Sequence, residues 1–68
     1  MNAANLTRSQ RLQRVKELLS DGAEHSTLDI INRAKVCAVN SIASELRKNG
    51  FDIKCKRRQD VWYYQMGA

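Results

Sequence analysis

Three side chains in this sequence, Cys37, Cys55 and His25, belong to the types that bind metals or act as nucleophiles and bases. The two cysteines lie 18 positions apart, and no second Cys or His pair follows at the spacing of a structural zinc site. Three possible ligands do not complete a tetrahedral zinc site. The sequence therefore predicts neither a metal centre nor a cofactor.

A disulfide is the other chemistry that two cysteines suggest. Disulfides are rare in cytosolic proteins, and the start of the chain has no apolar run of the kind found in signal peptides. We interpret Cys55 as a small buried hydrophobe packed against Trp62, and Cys37 as a residue at the start of a helix. His25 is interpreted as a surface or capping residue.

The residue types of common catalytic sites do not occur together in this chain. No nucleophile and base are paired, no glycine-rich loop could hold a phosphate, and no pair of carboxylates stands out. At 68 residues the chain makes one small domain, which buries only about 60% of its unfolded surface and has little room for a cleft. We expect a protein that is not an enzyme.

The basic residues are the stronger chemical signal. Twelve Lys and Arg against seven Asp and Glu give a net charge of +5, which favours an anionic partner. The net charge is +3 over residues 1–20, −3 over 21–32, +3 over 33–50 and +2 over 51–68. Acidic charge is thus concentrated in one segment. If the three basic segments fold onto one side, the protein has a basic face.

The expected localisation follows from the absence of a long apolar stretch. No stretch approaches the roughly 20 apolar residues that span a bilayer, and the N-terminal residues turn polar and basic. We expect a soluble, cytoplasmic protein with no membrane partner. A single domain is predicted over 7–66, after a loose lead-in at 1–6.

Two helices are predicted in the first half of the chain. TRSQ at 7–10 has the form of a capping box with Thr7 as N-cap, and the helical spacing of apolar residues predicts a helix over about 8–20 that Gly22 ends. EHST at 24–27 fits a short edge strand or a lead-in. Ser26 or Thr27 can cap a second helix. Its predicted inner face is Leu28, Ile31 and Ala34, with Ile30 on the flank.

A third helix is predicted after a short break near 33–36. Val39, Ile42, Ala43 and Leu46 recur at offsets of three, four and seven and mark its buried face. Gly50 ends this helix. The opposite face then carries small polar residues, with cations towards its C-terminal end.

After Gly50 the period of hydrophobicity changes from helical to alternating, which predicts a β-hairpin. A four-residue turn at 57–60 places Cys55 opposite Trp62, Ile53 opposite Tyr64 and Phe51 opposite Met66. The paired aromatic residues are then interpreted as core. Three helices followed by a C-terminal β-hairpin predict an α+β fold of the winged helix-turn-helix type.

Three segments resemble winged helix-turn-helix DNA-binding domains. ELRKNGFDI at 45–53 looks like the junction of recognition helix and wing, QRLQRVKELLSDGAEHSTLDIINRA at 10–34 is similar to the front half, and VWYYQM at 61–66 is similar to the closing strand. The resemblance covers about 8–66. It is to small bacteriophage and prophage domains and to the DNA-binding part of biotin-repressor-like regulators. RAKVCA departs from the usual turn pattern, a small residue or glycine followed by Ser or Thr, and leaves the helix boundaries open.

The resemblance implies that the third helix enters the major groove and that the hairpin acts as a wing. Asn, Ser, Arg and Lys are the side chains that read base edges or bind phosphates. On the third helix we predict Asn40, Ser41 and Ser44 near bases, with Arg47 and Lys48 towards phosphate or base. On the wing, the predicted DNA contacts are Lys54, Lys56, Arg57, Arg58 and Tyr63. Arg8, Arg11 and Arg14 are interpreted as a solvated stripe on the first helix, with phosphate contact as the alternative.

The function predicted from these residues is sequence-specific binding of double-stranded DNA, by a small transcriptional regulator or mobile-element protein. Winged helices also bind proteins and RNA. The alternatives are therefore a protein-binding winged helix, such as a small phage inhibitor or adaptor, and an RNA-binding module. A module of this size is expected to act as a monomer or as a weak homodimer on DNA.

Overall fold

Three α-helices and a three-stranded antiparallel sheet make up the computed structural model, which describes residues 9–67. In chain order the elements are α1 (Gln10–Leu19), β1 (His25–Ser26), α2 (Thr27–Ala34), α3 (Val39–Lys48), β2 (Ile53–Arg58) and β3 (Val61–Met66). The strands lie in the order β1-β3-β2. The predicted α+β class, with three helices and a C-terminal hairpin, is confirmed.

The first helix begins at Gln10 because Ser9 caps it. The Ser9 hydroxyl oxygen accepts a hydrogen bond of 3.3 Å from the backbone N–H of Leu12. That bond satisfies one of the N–H groups that a helix leaves unpaired at its start. The prediction of Thr7 as the cap is therefore wrong, and Thr7 itself lies outside the described residues.

The core lies between the helices and one side of the sheet. The four α3 residues predicted to face inwards are all buried, which confirms that helical face. Two sheet residues, Ile53 and Tyr64, complete the core. The buried apolar residues are Leu12, Val15, Leu19, Ile30, Ala34, Val36, Val39, Ile42, Ala43, Leu46, Ile53 and Tyr64.

The second helix is rotated relative to its predicted orientation. Of the two predicted caps, Ser26 and Thr27, it is Ser26 that caps the helix, accepting a hydrogen bond of 3.1 Å from the backbone N–H of Asp29. Ile30, predicted on the flank, is fully buried, whereas Leu28, predicted on the inner face, is 66% exposed. Residues two apart on a helix point in nearly opposite directions. Burying Ile30 and Ala34 therefore exposes Leu28.

A four-residue turn, 35–38, joins α2 to α3. Lys35 adopts a left-handed conformation with φ of 56°, and Val36 is buried in the core. The predicted break at 33–36 is two residues too early. Cys37, predicted on the third helix, belongs to this turn and is exposed.

Arg14 holds the end of α2 against α1. Its Nε donates to the Ala34 carbonyl over 2.7 Å, and its Nη2 donates to the Lys35 carbonyl over 3.4 Å. The last carbonyls of a helix lack intrahelical donors and attract cations. The interpretation of Arg14 as a solvated residue is wrong. Arg11 is exposed, and Arg8 lies outside the described residues.

The hairpin turn is shorter than predicted. Arg58 pairs with Val61, so only Gln59 and Asp60 form the turn, with φ of 49° and 66°. Two central residues of positive φ are typical of the two-residue type I′ turn, whose twist matches that of the strands. The predicted four-residue turn at 57–60 is therefore wrong.

The shorter turn changes every pair in the hairpin. Cys55 lies opposite Tyr64, and Trp62 lies opposite Arg57. Met66 pairs with Ile53, so the predicted pairing with Phe51 is also wrong. The shift is by two positions, and the alternation between the two sides of the sheet is kept.

Successive side chains of a strand point to opposite sides of the sheet, which here are a helix-facing side and an outer side. β1 extends both sides, because it pairs His25 with Tyr64 and Ser26 with Tyr63. Paired residues share a side of an antiparallel sheet. The helix-facing side carries His25, Ile53, Cys55, Arg57, Trp62, Tyr64 and Met66. The outer side carries Ser26, Lys54, Lys56, Arg58, Val61, Tyr63 and Gln65.

Candidate nucleic-acid interface

The exposed arc of α3 consists of Asn40, Ser41, Ser44 and Lys48, and it is called the α3 arc from here on. The opposite side of the helix is fixed in the core. Within α3 the only carboxylate is Glu45, which is half-buried on the flank and not on the arc. The α3 arc therefore presents amide, hydroxyl and ammonium groups without a competing negative charge.

The start of α3 has no capping side chain at Ala38. Asn40 partly replaces a cap, because its Oδ1 accepts a hydrogen bond of 3.0 Å from the backbone N–H of Ser41. The first N–H groups of a helix lack intrahelical acceptors and carry partial positive charge. This end of the α3 arc is consequently suited to a negatively charged group.

Arg47 lies beside the α3 arc and links α3 to the hairpin. Its Nε donates to the Ile53 carbonyl over 2.8 Å, and its Nη2 lies 3.7 Å from Cys55 Sγ. A guanidinium has further N–H groups that these two contacts leave available. Arg47 therefore fixes the distance between α3 and β2 and keeps a positive charge between them.

Four of the predicted wing residues lie together on the outer side of the hairpin. Lys54 and Lys56 are exposed, and the guanidinium carbon of Arg58 lies 4.5 Å from the centroid of the half-buried Tyr63 ring. This geometry is a cation–π contact. It holds the Arg58 guanidinium over the Tyr63 ring, so the outer side is a cationic surface in which one arginine has a partner.

Glu24 lies against this cationic surface. Its carboxylate accepts a hydrogen bond from Arg58 Nη2, and Lys56 Nζ lies 3.7 Å from its Oε2. Exposed ion pairs of this kind contribute little stability and exchange readily with other partners. A phosphate could therefore replace Glu24 at low cost.

Arg57 lies on the helix-facing side of the hairpin, opposite Trp62. The predicted place of Arg57 in a four-residue turn is wrong, because the two-residue turn extends β2 as far as Arg58. An exposed ion pair of 2.6 Å joins Arg57 Nη2 to Asp60 Oδ1 at the tip. The arginine pair thus covers both sides of the hairpin end.

A groove of about 550 Å³ opens between α2, the start of α3 and the helix-facing side of the hairpin. Trp62 forms one wall and is 46% exposed, so its predicted place in the core is wrong. Thr27 holds this wall by donating to the Trp62 carbonyl over 3.3 Å. The lining consists of Thr27, Ile31, Ala38, Val39, Asn40, Cys55, Trp62 and Tyr64.

Both cysteines carry free, exposed thiols. The predicted burial of Cys55 against Trp62 is wrong, because the observed register places Cys55 opposite Tyr64 and on the groove wall. The Arg47 guanidinium next to its sulfur makes this part of the groove cationic.

His25 lies on β1, paired with Tyr64, and is 7% exposed, so its predicted surface position is wrong. Its Nδ1 lies 2.7 Å from Asp29 Oδ2, and its Nε2 lies 3.0 Å from Asp21 Oδ2. Ionised carboxylates only accept hydrogen bonds, so both ring nitrogens must donate and the imidazole is protonated in this arrangement. The ring therefore cross-links the end of α1 to the start of α2.

The three groups shift one another's pKa values. Burial lowers the pKa of His25, but hydrogen bonds and charge from Asp29 and Asp21 raise it by more, to a net value above 6.5. The hydrogen bond from His25 holds the pKa of Asp29 below 3.8. The backbone N–H of Ala23, and then His25, lower the pKa of Asp21.

Sequence reasoning missed three residues at or near the candidate interface: Glu24, Trp62 and His25. Asp21 and Asp29 flank His25 at four positions on either side, which is a usable signal for an ion-paired histidine. Glu24 and Trp62 gave no comparable signal. Their roles depend on which residues the turn brings into register.

Comparisons with known proteins assign nothing to this chain: no protein-family model, curated protein or solved structure matches it. Within residues 9–67, no helix is long and apolar enough to cross a membrane. No group of three or more His, Cys, Asp or Glu in that part of the chain could hold a metal ion.

Proposed function

We propose that this chain is a small winged helix-turn-helix protein that binds double-stranded DNA with a sequence preference and catalyses no reaction. In this assignment α2, the turn at 35–38 and α3 form the helix-turn-helix, and the β2–β3 hairpin is the wing. A turn of this length is typical of the motif. The regulatory role would be that of a bacteriophage or prophage protein, which the sequence resembles.

One observation carries the proposal: the α3 arc is exposed, polar and free of carboxylates, and it lies beside a cationic hairpin. A helix fits the major groove, and its amide and hydroxyl groups can read base edges there. Within the proposal, Asn40 pairs with an adenine while Ser41 and Ser44 contact neighbouring bases. Lys48 and the positively charged Arg47 approach phosphates.

The hairpin contributes phosphate contacts in this proposal. Lys54 and Lys56 face outwards, while Arg57 and Arg58 lie on opposite sides of the tip. This spread lets the tip reach the backbone or a narrow minor groove, which attracts arginine. Tyr63 supports Arg58 through its ring rather than reading a base.

Salt dependence of binding tests the role of the tip. Arg57→Ala and Arg58→Ala should each reduce the slope of log affinity against log salt by about 0.9, because each loses one phosphate contact. Fluorescence anisotropy with a mixed-sequence duplex at several salt concentrations measures this slope. Arg11→Ala is the matched control, since it removes the same charge from an exposed position on α1. If the slope of log affinity against log salt were equal in all three variants, the tip would not belong to the interface.

Exposed apolar side chains favour a protein partner as a second candidate function. Leu28 is 66% exposed on α2 and Val61 is 40% exposed on the hairpin, and neither is a predicted DNA contact. Titration of the labelled protein with duplex DNA separates the two functions. Chemical-shift changes confined to 36–48 and 54–63 support DNA binding, whereas a spectrum that DNA leaves unchanged but a protein partner shifts supports the second candidate.

A further inference from the structure

The groove between α2, α3 and the hairpin shares a residue with the α3 arc. Asn40 lies on the arc and also lines the groove, together with Val39 and Trp62. A partner that reaches the Asn40 amide therefore also reaches the mouth of the groove. Any base contacted by Asn40 has an apolar surface beside it.

The groove combines apolar walls with cationic surroundings. Its lining contains no carboxylate, and the Arg47 guanidinium lies 3.7 Å from the Cys55 sulfur on its wall. Arg57 lies opposite Trp62 in the hairpin register. An apolar group carried by an anionic molecule is complementary to this combination, and a DNA duplex has such a group in its major groove.

We propose that the groove receives the 5-methyl group of a thymine that lies within one base step of the base contacted by Asn40. Trp62 is then a specificity-determining residue, packing its indole face on the methyl group. This inference rests on the proposed DNA-binding function and adds to it which base is read. Thymine presents the one methyl group among the four bases in the major groove.

Thymine is preferred because its methyl group and the Trp62 indole both bury apolar surface when they come into contact. Trp62 is 46% exposed in the free protein, so the groove has apolar area left to bury. A methyl group placed there is removed from water together with part of the Trp62 indole. Cytosine and uracil lack this methyl group, so the indole stays in contact with water. The Asn40 amide next to it selects adenine. The two contacts together favour sequences rich in A·T pairs at the centre of the site.

Replacing single thymines by deoxyuridine tests the inference, because it deletes one methyl group and nothing else. The duplex is the tightest binder recovered from a random-sequence selection, and each thymine is replaced in turn. We expect at least one replacement to weaken binding by about threefold to tenfold, as expected for one buried methyl group. Trp62→Ala should weaken binding to the thymine duplex and remove the difference between thymine and uracil.

Two further variants make the test independent of folding. Val61→Ala is the matched control, because Val61 is 40% exposed on the neighbouring strand position but on the outer side. It should keep the full penalty for uracil. Cys55→Met extends an apolar side chain into the groove and removes no core contact, so it should shrink the penalty even if Trp62→Ala does not fold.

The outcomes separate the inference from the function on which it rests. A preferred duplex that contains no thymine, or in which every uracil replacement is neutral, overturns the thymine contact and leaves DNA binding intact. A penalty that survives both Trp62→Ala and Cys55→Met also overturns it. If the selection recovers no preferred duplex, the proposed function and this inference both fail.

Discussion

The acidic end of the molecule and the α3 arc use polar residues in opposite ways. At the acidic end, which consists of Asp21, Glu24, His25 and Asp29, every carboxylate contacts a cation of the same chain. On the α3 arc, the side chains of Ser41, Ser44 and Lys48 make no hydrogen bond or ion pair with another side chain within residues 9–67. The charged groups of the acidic end are paired with one another or with nearby cations, whereas these three side chains of the α3 arc have no side-chain partner within the described residues.

This difference indicates which polar groups maintain the fold and which are available to a partner. Hydrogen bonds to a buried charged group are costly to break, because the remaining partner stays desolvated. Exposed hydroxyl and ammonium groups lose little when they exchange water for a ligand. Substitutions at the acidic end should therefore change stability, and substitutions on the arc should change binding.

The largest expected effect is the loss of stability from removing the buried histidine. His25→Ala should lower the free energy of unfolding by about 2 kcal/mol, because it breaks two charge-assisted hydrogen bonds and leaves a cavity. Ser44→Ala, a truncation on the α3 arc, should change it by less than about 0.5 kcal/mol. Urea denaturation followed by circular dichroism measures both. Equal losses in the two variants would contradict the comparison.

The second effect is on sequence preference. Asn40→Ala should reduce the ratio of affinities for the preferred and a scrambled duplex by about tenfold, because it removes the bidentate base contact proposed for this amide. Binding to the scrambled duplex should change little. Asn32→Ala is the matched control, an exposed asparagine on α2. If Asn40→Ala weakened both duplexes equally, Asn40 would contact the backbone and not a base.

The sequence predicted the parts of this fold that depend on local period. The helical spacing of Val39, Ile42, Ala43 and Leu46 gave the buried face of α3 correctly. The change to alternation after Gly50 gave the hairpin. Each pattern repeats within one helix or strand, so it can be recognised in the sequence without knowing what packs against that element.

The register of the hairpin could not be read in the same way. Gln59-Asp60 lacks the Asn-Gly or Asp-Gly signal of a type I′ turn, yet both residues adopt positive φ. A four-residue turn and a two-residue turn preserve the same alternation, so hydrophobicity does not distinguish them. The position of Trp62 depends on that choice, which is why its exposure and the groove were missed.

Side-chain contacts between segments distant in the chain also could not be predicted from the sequence. Arg14 reaches the carbonyl at the end of α2, and Glu24 reaches Arg58 across the sheet. In the sequence these residues resemble ordinary solvated charges. Of the predicted DNA contacts, the α3 residues follow from helical period alone, whereas the correct sides of Arg57 and Arg58 required the register.

The third effect is a pH dependence confined to the acidic end. The pKa of His25 is raised above 6.5 in the folded state, so its contribution to stability is complete below that pH and is lost as pH rises through the folded value. The lowered pKa values of Asp21 and Asp29 give a contribution that is present above 3.8 and is lost as pH falls through their folded values.

Stability should therefore be highest between these limits and should decrease as pH rises above 6.5 and through the raised folded-state pKa of His25. Thermal unfolding at closely spaced pH values measures the decrease. His25→Ala should lack it, while Ser44→Ala should keep it, because Ser44→Ala leaves His25 and its two carboxylate partners in place. A decrease that persists in His25→Ala would have to come from another group.

The smallest expected effect concerns Glu24, the residue that connects the acidic end to the hairpin. Glu24→Gln removes the carboxylate that pairs with Arg58 and Lys56. Freed from this competitor, both cations should bind phosphates better and raise the affinity for DNA of any sequence by about two- to threefold at low salt, with less gain at high salt. Stability should change by less than about 0.5 kcal/mol.

Glu17→Gln is the matched control for Glu24→Gln, because it removes the same charge from an exposed position on α1. An equal gain in both variants would show that only the net charge matters. A loss of affinity in Glu24→Gln alone would have a different meaning. Glu24 would then hold Arg58 over the Tyr63 ring in the geometry that DNA requires, and the acidic end would take part in binding by positioning a cation instead of competing for it.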